Sequence, residues 1–298
     1  MSRKLKMLAK RLDVLRAALG EVAPLRILDV GANPISKNEY DELLELQGCE
    51  LWGFEPQKSA YDKLVADAKP GTHFLNQAVG TPGPAQFYAY SHSGFSSLFP
   101  LRKSAMDYLG KPQWWEDGVA PVAMDLVGLD GIDDADLPKP DLLKIDIQGG
   151  ELAVFQSGRE KLNLAVCVIP EVRFYRLYDD EPMWSRCDVE LEKQGFVLHK
   201  LLFAKDTVVG NSRANRMKSQ AFSNQLIDGD AVYIRNPETI ADWSDDQVIA
   251  LLVAAAGVFD SHDLAVFCLD ELQRRGRVED GVQDSYLDAL PAWYFREG

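Results

Sequence analysis

The chain is short of basic residues, of histidine and of paired cysteine, and each shortage removes a class of function. Against 46 Asp and Glu stand 32 Lys and Arg, a formal net charge of −14 at pH 7. Non-specific nucleic-acid binding works by displacing phosphate counterions with Lys and Arg, so no nucleic-acid partner is expected. Four histidines are present, and without a His or Cys cluster at ligand spacing no metal centre is expected. The four cysteines, Cys49, Cys167, Cys187 and Cys268, are widely spaced. Reduced, buried thiols in a cytoplasmic protein are the reading they support. No apolar run approaches the roughly 20 residues of a membrane span, so no transmembrane segment is expected. A GxGxxG loop, which marks a dinucleotide site, is missing. So is the GxSxG elbow of a serine hydrolase.

What is present is alternation. The first twenty residues, MSRKLKMLAKRLDVLRAALG, have Lys10, Arg11 and Asp13 where a signal peptide needs an unbroken apolar core. An amphipathic helix within 1–24 is expected instead, packed on the domain or on a partner. LRILDVGAN (25–33), CELWGFEP (49–56) and HFLNQAVG (73–80) read as strands. NEYDELLELQG (38–48) and KSAYDKLVADAKPG (58–71) between them read as helices. Strand–helix alternation with short loops is the pattern of a parallel sheet with crossover helices. Further strands are expected at 85–90, 119–124, 142–147, 164–172, 197–203 and 230–236, with helices to about Lys161 and at 185–196. Residues 237–298 are helical by periodicity and carry about three acidic groups for each basic one. They are expected to form an acidic helical C-terminal extension. Its apolar stripe at 247–259 is expected to pack on the main domain or on a second subunit, which makes a homodimer an open expectation.

Polar groups fall where the strands end. An open α/β sheet binds ligands beyond the carboxyl ends of its strands, and Asp29–Asn33, Glu55, Gln77, Asp146 and Glu171 all sit at such ends. Gly31 allows a tight turn and close approach of a ligand. Glu55, with Pro56 after it, ends the second strand at the distance from the glycine loop where a carboxylate takes both ribose hydroxyls of a nucleoside. In LLKIDIQGGEL (142–152), alternation puts Asp146 and Gln148 on one face. Glu151 then falls in a first helical turn, where its charge meets the helix dipole. A carboxylate buried beside a cleft is costly without a partner, so Asp146 is expected to face a ligand. Glu171 has Arg173 as its ordinary pairing. Asp146 and Glu171 are also placed to share a cation such as Mg²⁺. His92 lies in the loop SHSGFSSLFP (91–100), and its titration range suits a general base.

The ordered set DVGAN (29–33), FEP (54–56), NQAVG (76–80), SSL (96–98), LD (129–130), LLKIDIQGGEL (142–152), EVRFYRLY (171–178) and QLIDGDAVYIRN (225–236) resembles the FkbM family of S-adenosylmethionine-dependent methyltransferases. The resemblance spans about 25–236. It implies a class I methyltransferase fold, a Rossmann-like seven-stranded sheet, mostly parallel, whose last strand is antiparallel. It implies S-adenosyl-L-methionine as cofactor and O-methylation of a small molecule or sugar. Carried over, Asp29, Gly31, Ala32 and Asn33 hold the methionine end and Glu55 the ribose, with Pro56 beside it. Gln77 and Ala78 border the adenine, and Asp146 faces the methionine amine or the reacting centre. The catalytic candidates are His92, Asp146 and Glu171. The chain departs from the family after Asn33, where a glycine usual in the family is replaced by Pro34-Ile35-Ser36; Pro34 is expected to begin a helix. The rival expectation is a non-catalytic cofactor-binding or scaffold protein that recruits a partner through its acidic tail.

Overall fold

Short β-branched and leucine-rich runs build the sheet, and the helices between them cover its two faces. The computed structural model describes residues 2–33 and 37–296. The expectation at Pro34 lies outside them. The strands are β1 (Leu25–Val30), β2 (Cys49–Phe54), β3 (Thr72–Leu75), β4 (Ala78–Val79), β5 (Gly83–Phe87), β6 (Val122–Val127), β7 (Leu142–Ile145), β8 (Cys167–Arg173), β9 (Phe196–Thr207) and β10 (Gln225–Arg235). Seven of them form one sheet in the order β3-β2-β1-β7-β8-β10-β9. From β3 to β8 the neighbours run parallel, and β10 is antiparallel to both β8 and β9. This is the expected fold, down to the antiparallel last strand.

The helices are α1 (Arg3–Leu19), α2 (Asp41–Glu45), α3 (Lys58–Ala66), α4 (Lys103–Tyr108), α5 (Glu151–Ser157), α6 (Trp184–Lys193), α7 (Ser219–Phe222), α8 (Asp245–Gly257), α9 (His262–Arg274) and α10 (Val282–Asp288). Strand side chains alternate between faces. Leu25, Ile27, Leu142, Val232 and Ile234 point into a core shared with α1, α8, α9 and α10. Leu28, Val30, Leu143, Ile145 and Tyr233 point into the other core, with α5 and α6. The apolar stripe at 247–259 is thus consumed by the sheet. α8 is started by a capping box of Ser244 and Gln247, and Val248, Leu251 and Leu252 are buried against β1 and α1. Each buried leucine contributes about 1.5–3 kcal/mol, so α8 stabilises the face on which β1 rests. No helix among the described residues is long and apolar enough to cross a membrane.

Several strand bounds differ from expectation, two of them with a local cause. The run 73–80 is not one strand. It breaks at Asn76-Gln77, where the Asn76 amide donates to the carbonyls of Glu55 (2.8 Å) and Pro56 (3.1 Å). Its second half leaves the main sheet for a small one ordered β4-β6-β5. The strand expected at 119–124 lies at Val122–Val127, because Pro121 has no N–H for a ladder. Helix α5 stops at Ser157 rather than at Lys161. Gly158 follows, and a Cβ there would sit 2.8 Å from the Leu129 side chain.

Candidate active site

The carboxyl ends of β1, β2, β7 and β8 surround a cavity of about 500 Å³, within the usual range for small-molecule sites. Its floor is set by backbone. Gly31 has φ +95°, and a Cβ there would lie 2.2 Å from the Asp146 carbonyl oxygen. Only glycine lets β1 turn this close to the end of β7. The amides of Gly31 and Ala32 both donate to Phe54 O at 3.0 Å, tying the loop to β2. Ala32 is buried and packs toward Gly53, so its side chain is not on the cavity wall, whereas Asn33 is.

At the end of β2, Glu55 is 3% exposed. Its Oε1 accepts from the Gln57 amide at 2.7 Å. Its Oε2 accepts nothing from the described residues, and the side chain borders the cavity beside Pro56, Gln77 and Ala78. Burial raises its proton affinity, and the Gln57 bond opposes this.

Charges crowd the wall between β1, β7 and β10. Asp29 and Lys144 are paired in register across β1 and β7, and Lys144 Nζ donates to Asp230 Oδ1 at 3.3 Å. Asp29 accepts a short hydrogen bond from the Tyr40 hydroxyl. Burial pushes the Asp29 carboxyl up to about 6 against the pull of Tyr40 and Lys144. Burial likewise pushes Asp230 up to about 6, with Lys144 opposing. For Lys144 burial acts to discharge the amine, but Asp230, Asp146, Glu39 and Asp29 prevail and hold it charged. Glu39 also lines the cavity, and its Oε2 is buried without a hydrogen-bond partner among the described residues.

The third group hangs on Gln148. That residue takes φ +57° and Gly149 takes +107°, which bends the chain from β7 into α5. Glu151 fixes the bend: its Oε1 accepts from the amides of Ile147 (3.1 Å) and Gly149 (3.2 Å), the structural part expected of it. The Gln148 amide nitrogen then donates to Asp146 Oδ1 (2.8 Å) and Glu171 Oε2 (3.0 Å). An amide therefore stands between the two carboxylates that sequence offered as a cation pair. No group of three or more metal-ligating side chains occurs among the described residues. Arg173 donates to the same Glu171 oxygen at 2.8 Å and to Asp228 at 3.0 Å, and lies 3.4 Å from Glu181. Burial raises the Glu171 carboxyl well above its ordinary value, against Arg173 and with Asp146 adding to the rise. Burial also pushes Glu181 up to about 7.

Of the expected site residues, Asp29, Gly31, Asn33, Glu55, Pro56, Gln77, Ala78, Asp146 and Glu171 line this one cavity. His92 does not. It is exposed, with its ring 5.3 Å from that of Phe95, while its neighbours Ser93, Gly94 and Ser96 reach the wall. Sequence reasoning missed Lys144, Asp230 and Glu39. The signal for the first two was available: a lysine inside a buried strand needs a buried carboxylate, and Asp230 is an acid in a strand-like run.

The family model described as "Methyltransferase FkbM domain" matches residues 29–198. Solved structures with partial similarity include three methyltransferases. Magnesium protoporphyrin IX methyltransferase of Synechocystis PCC 6803, with bound SAM, is 11% identical, over 78% of this chain and 79% of that one, with a TM-score of 0.35. Precorrin-6y C5,15-methyltransferase of Geobacter metallireducens is 12% identical, over 75% and 86%, with a TM-score of 0.34. A TehB-like SAM-dependent methyltransferase of Corynebacterium glutamicum is 12% identical, over 77% and 88%, with a TM-score of 0.34. No curated protein matches.

Proposed function

Because the chain belongs to the FkbM methyltransferase family and its cofactor is S-adenosylmethionine, we propose that it methylates a hydroxyl oxygen of a small molecule or sugar in this cavity. The observation that carries the reading is Glu55, a buried carboxylate with one oxygen fixed by Gln57 and the other free at the wall. That is the acceptor a ribose diol requires. The other residues fit the same group. Gly31 lets the loop after β1 lie against the end of β7, which sets Asn33 on the cavity wall. Gln77 and Ala78 form the wall for the base. Asp29, Glu39, Asp146 and Asp230 outnumber Lys144, which suits a ligand carrying a sulfonium and an ammonium.

When bound, the cofactor supplies a methyl group on a positive sulfur. The chain's own work is alignment and proton removal. In this reading Ser93, Ser96 and Gln148 border the acceptor. Glu171 would take the proton of the acceptor hydroxyl. Arg173 and Gln148 hold one Glu171 oxygen, and its raised proton affinity makes it the stronger base. Asp146, bonded through Oδ1 to Gln148, keeps Oδ2 for the cationic centre. His92 has no part in proton transfer here. Residues 25–236 carry the catalysis, and the helices of 1–24 and 237–298 brace the face under β1.

Calorimetric binding of S-adenosylmethionine and S-adenosylhomocysteine to the wild-type protein and to Glu55→Ala tests the reading. Saturable binding, weakened about 10–100-fold in the variant, is the expected result. A well-folded wild type that binds neither compound overturns it.

A further inference from the structure

The connection between β9 and β10 differs in charge from the rest of the molecule. Between Asp206 and Asp228 the chain carries Arg213, Arg216 and Lys218 and no acidic residue, within a protein of net charge −14. This segment joins β9 to β10. β9 is parallel to β8, so the connection lies beyond the same carboxyl edge at which the cavity opens. It is held there by the Gly210 amide, which donates to Tyr108 O at 2.7 Å, and by the close approach of Gly210 to Gly110.

Lys111 follows that contact directly. Its ammonium lies 5.6 Å from the centroid of the Trp114 ring, and the ammonium of Lys205 lies at the same distance from the same ring. Two like charges are thus gathered on one indole, which offsets only part of their repulsion. Lys205 has Asp228 at 3.7 Å. For Lys111, Arg213, Arg216 and Lys218 the described residues offer no carboxylate at ion-pair distance. Glu116 and Asp117 are exposed in the neighbouring loop, where Glu116 accepts from the Ser91 amide.

The cluster is continuous with the cavity on two sides. Trp114 packs on Phe95 with ring centroids 5.3 Å apart, and Phe95 sits among Ser93, Gly94 and Ser96 of the cavity wall. Lys205 stands two residues beyond Phe203, which lines the cavity and is 50% exposed. Resting on the methyl-transfer reading above, we infer that Lys111 and Lys205, held on Trp114, form an acceptor subsite, and that the acceptor is a sugar-like ring bearing an anionic group. The hydroxyl enters beside Glu171 while the carboxylate or phosphate of the same molecule stays at the lysines. A neutral wall of aromatic rings, Phe203 and Phe95, covers the ring between them. An overall acidic chain thereby repels polyanions and still attracts a small anion at this one mouth.

The test is calorimetry on the full chain saturated with S-adenosylhomocysteine, using matched probes. These are p-nitrophenyl glucuronide against p-nitrophenyl glucoside, and glucose 6-phosphate against glucose. At least one anionic member is expected to bind about tenfold or more tightly than its neutral partner. The pair that shows the preference separates a carboxylate from a phosphate as the recognised group. Lys111→Gln and Lys205→Gln should each erase much of the preference, with Lys111→Arg restoring it and S-adenosylhomocysteine affinity unmoved. Equal binding of anionic and neutral members overturns the inference. So does no binding of any anionic member at high millimolar concentration, or a preference that survives both Gln variants. If S-adenosylhomocysteine itself fails to bind, the methyl-transfer reading falls and the subsite with it. Cofactor binding without charge preference removes the subsite alone.

Discussion

The two ends of the cavity are built in different ways. The end under β1 and β2 is made of backbone: a glycine turn whose Cβ has no room, two amides tied to Phe54, and one carboxylate fixed by the amide two residues on. The end under β8 and β10 is made of side chains from distant parts of the chain. There Gln148 joins Asp146 to Glu171, and Arg173 joins Glu171 to Asp228 and Glu181. The first end is set by shape and the second by charge. In the proposed reading the cofactor occupies the first end and the acceptor the second.

The largest effect should come from shape. Gly31→Ala puts a methyl group 2.2 Å from the Asp146 carbonyl oxygen at a positive φ. Binding of S-adenosylhomocysteine should fall beyond detection, with a cost to stability of about 1–3 kcal/mol or more; retained affinity by calorimetry would break the comparison at its first end. Next comes Glu171→Gln. Turnover, followed as S-adenosylhomocysteine release once an acceptor is in hand, should drop about 10²–10⁴-fold while cofactor affinity stays nearly constant. A proportionate loss of both would make Glu171 a cofactor residue.

A smaller effect concerns pH. Burial pushes the Asp29 and Asp230 carboxyls up to about 6 in the folded chain, above their unfolded values. They are ionised above that pH and neutral below it. Affinity for the sulfonium cofactor should therefore fall as pH drops through about 6, and fall less for S-adenosylhomocysteine, which lacks the sulfonium charge. Parallel pH curves for the two compounds would show that these carboxylates do not sense the cation. The same raised values oppose folding at neutral pH, because the unfolded chain ionises more readily. Their contribution to stability is greatest below the unfolded values and declines as pH rises through about 6. The smallest effect is His92→Ala, which should leave turnover and binding near wild type. A large loss of turnover would bring that loop into the chemistry.

The same division explains what could be read from sequence. The backbone-built end is contiguous, so DVGAN and FEP carry their own geometry, and the alternating strands and helices around them were legible from period and punctuation. The side-chain end is not contiguous. Lys144 reads as a strand residue until Asp230, 86 positions later, is seen to pair with it. Gln148 reads as part of a turn until Asp146, Glu171, Arg173 and Tyr178 are found around its amide. His92 drew notice because histidine chemistry is versatile, yet its loop reaches the cavity through Ser93, Gly94 and Ser96 instead. The tail is acidic in composition, yet its apolar stripe at 247–259 is legible, and α8 packs it into the core on one face of the sheet.

One measurement tests the two-ended account most directly: titration of S-adenosylhomocysteine into Glu55→Ala and Glu171→Gln side by side, with wild type as reference. The account predicts that Glu55→Ala loses about 1.5–3 kcal/mol of binding free energy and that Glu171→Gln binds as wild type does. Equal losses in both, or a loss confined to Glu171→Gln, would contradict it.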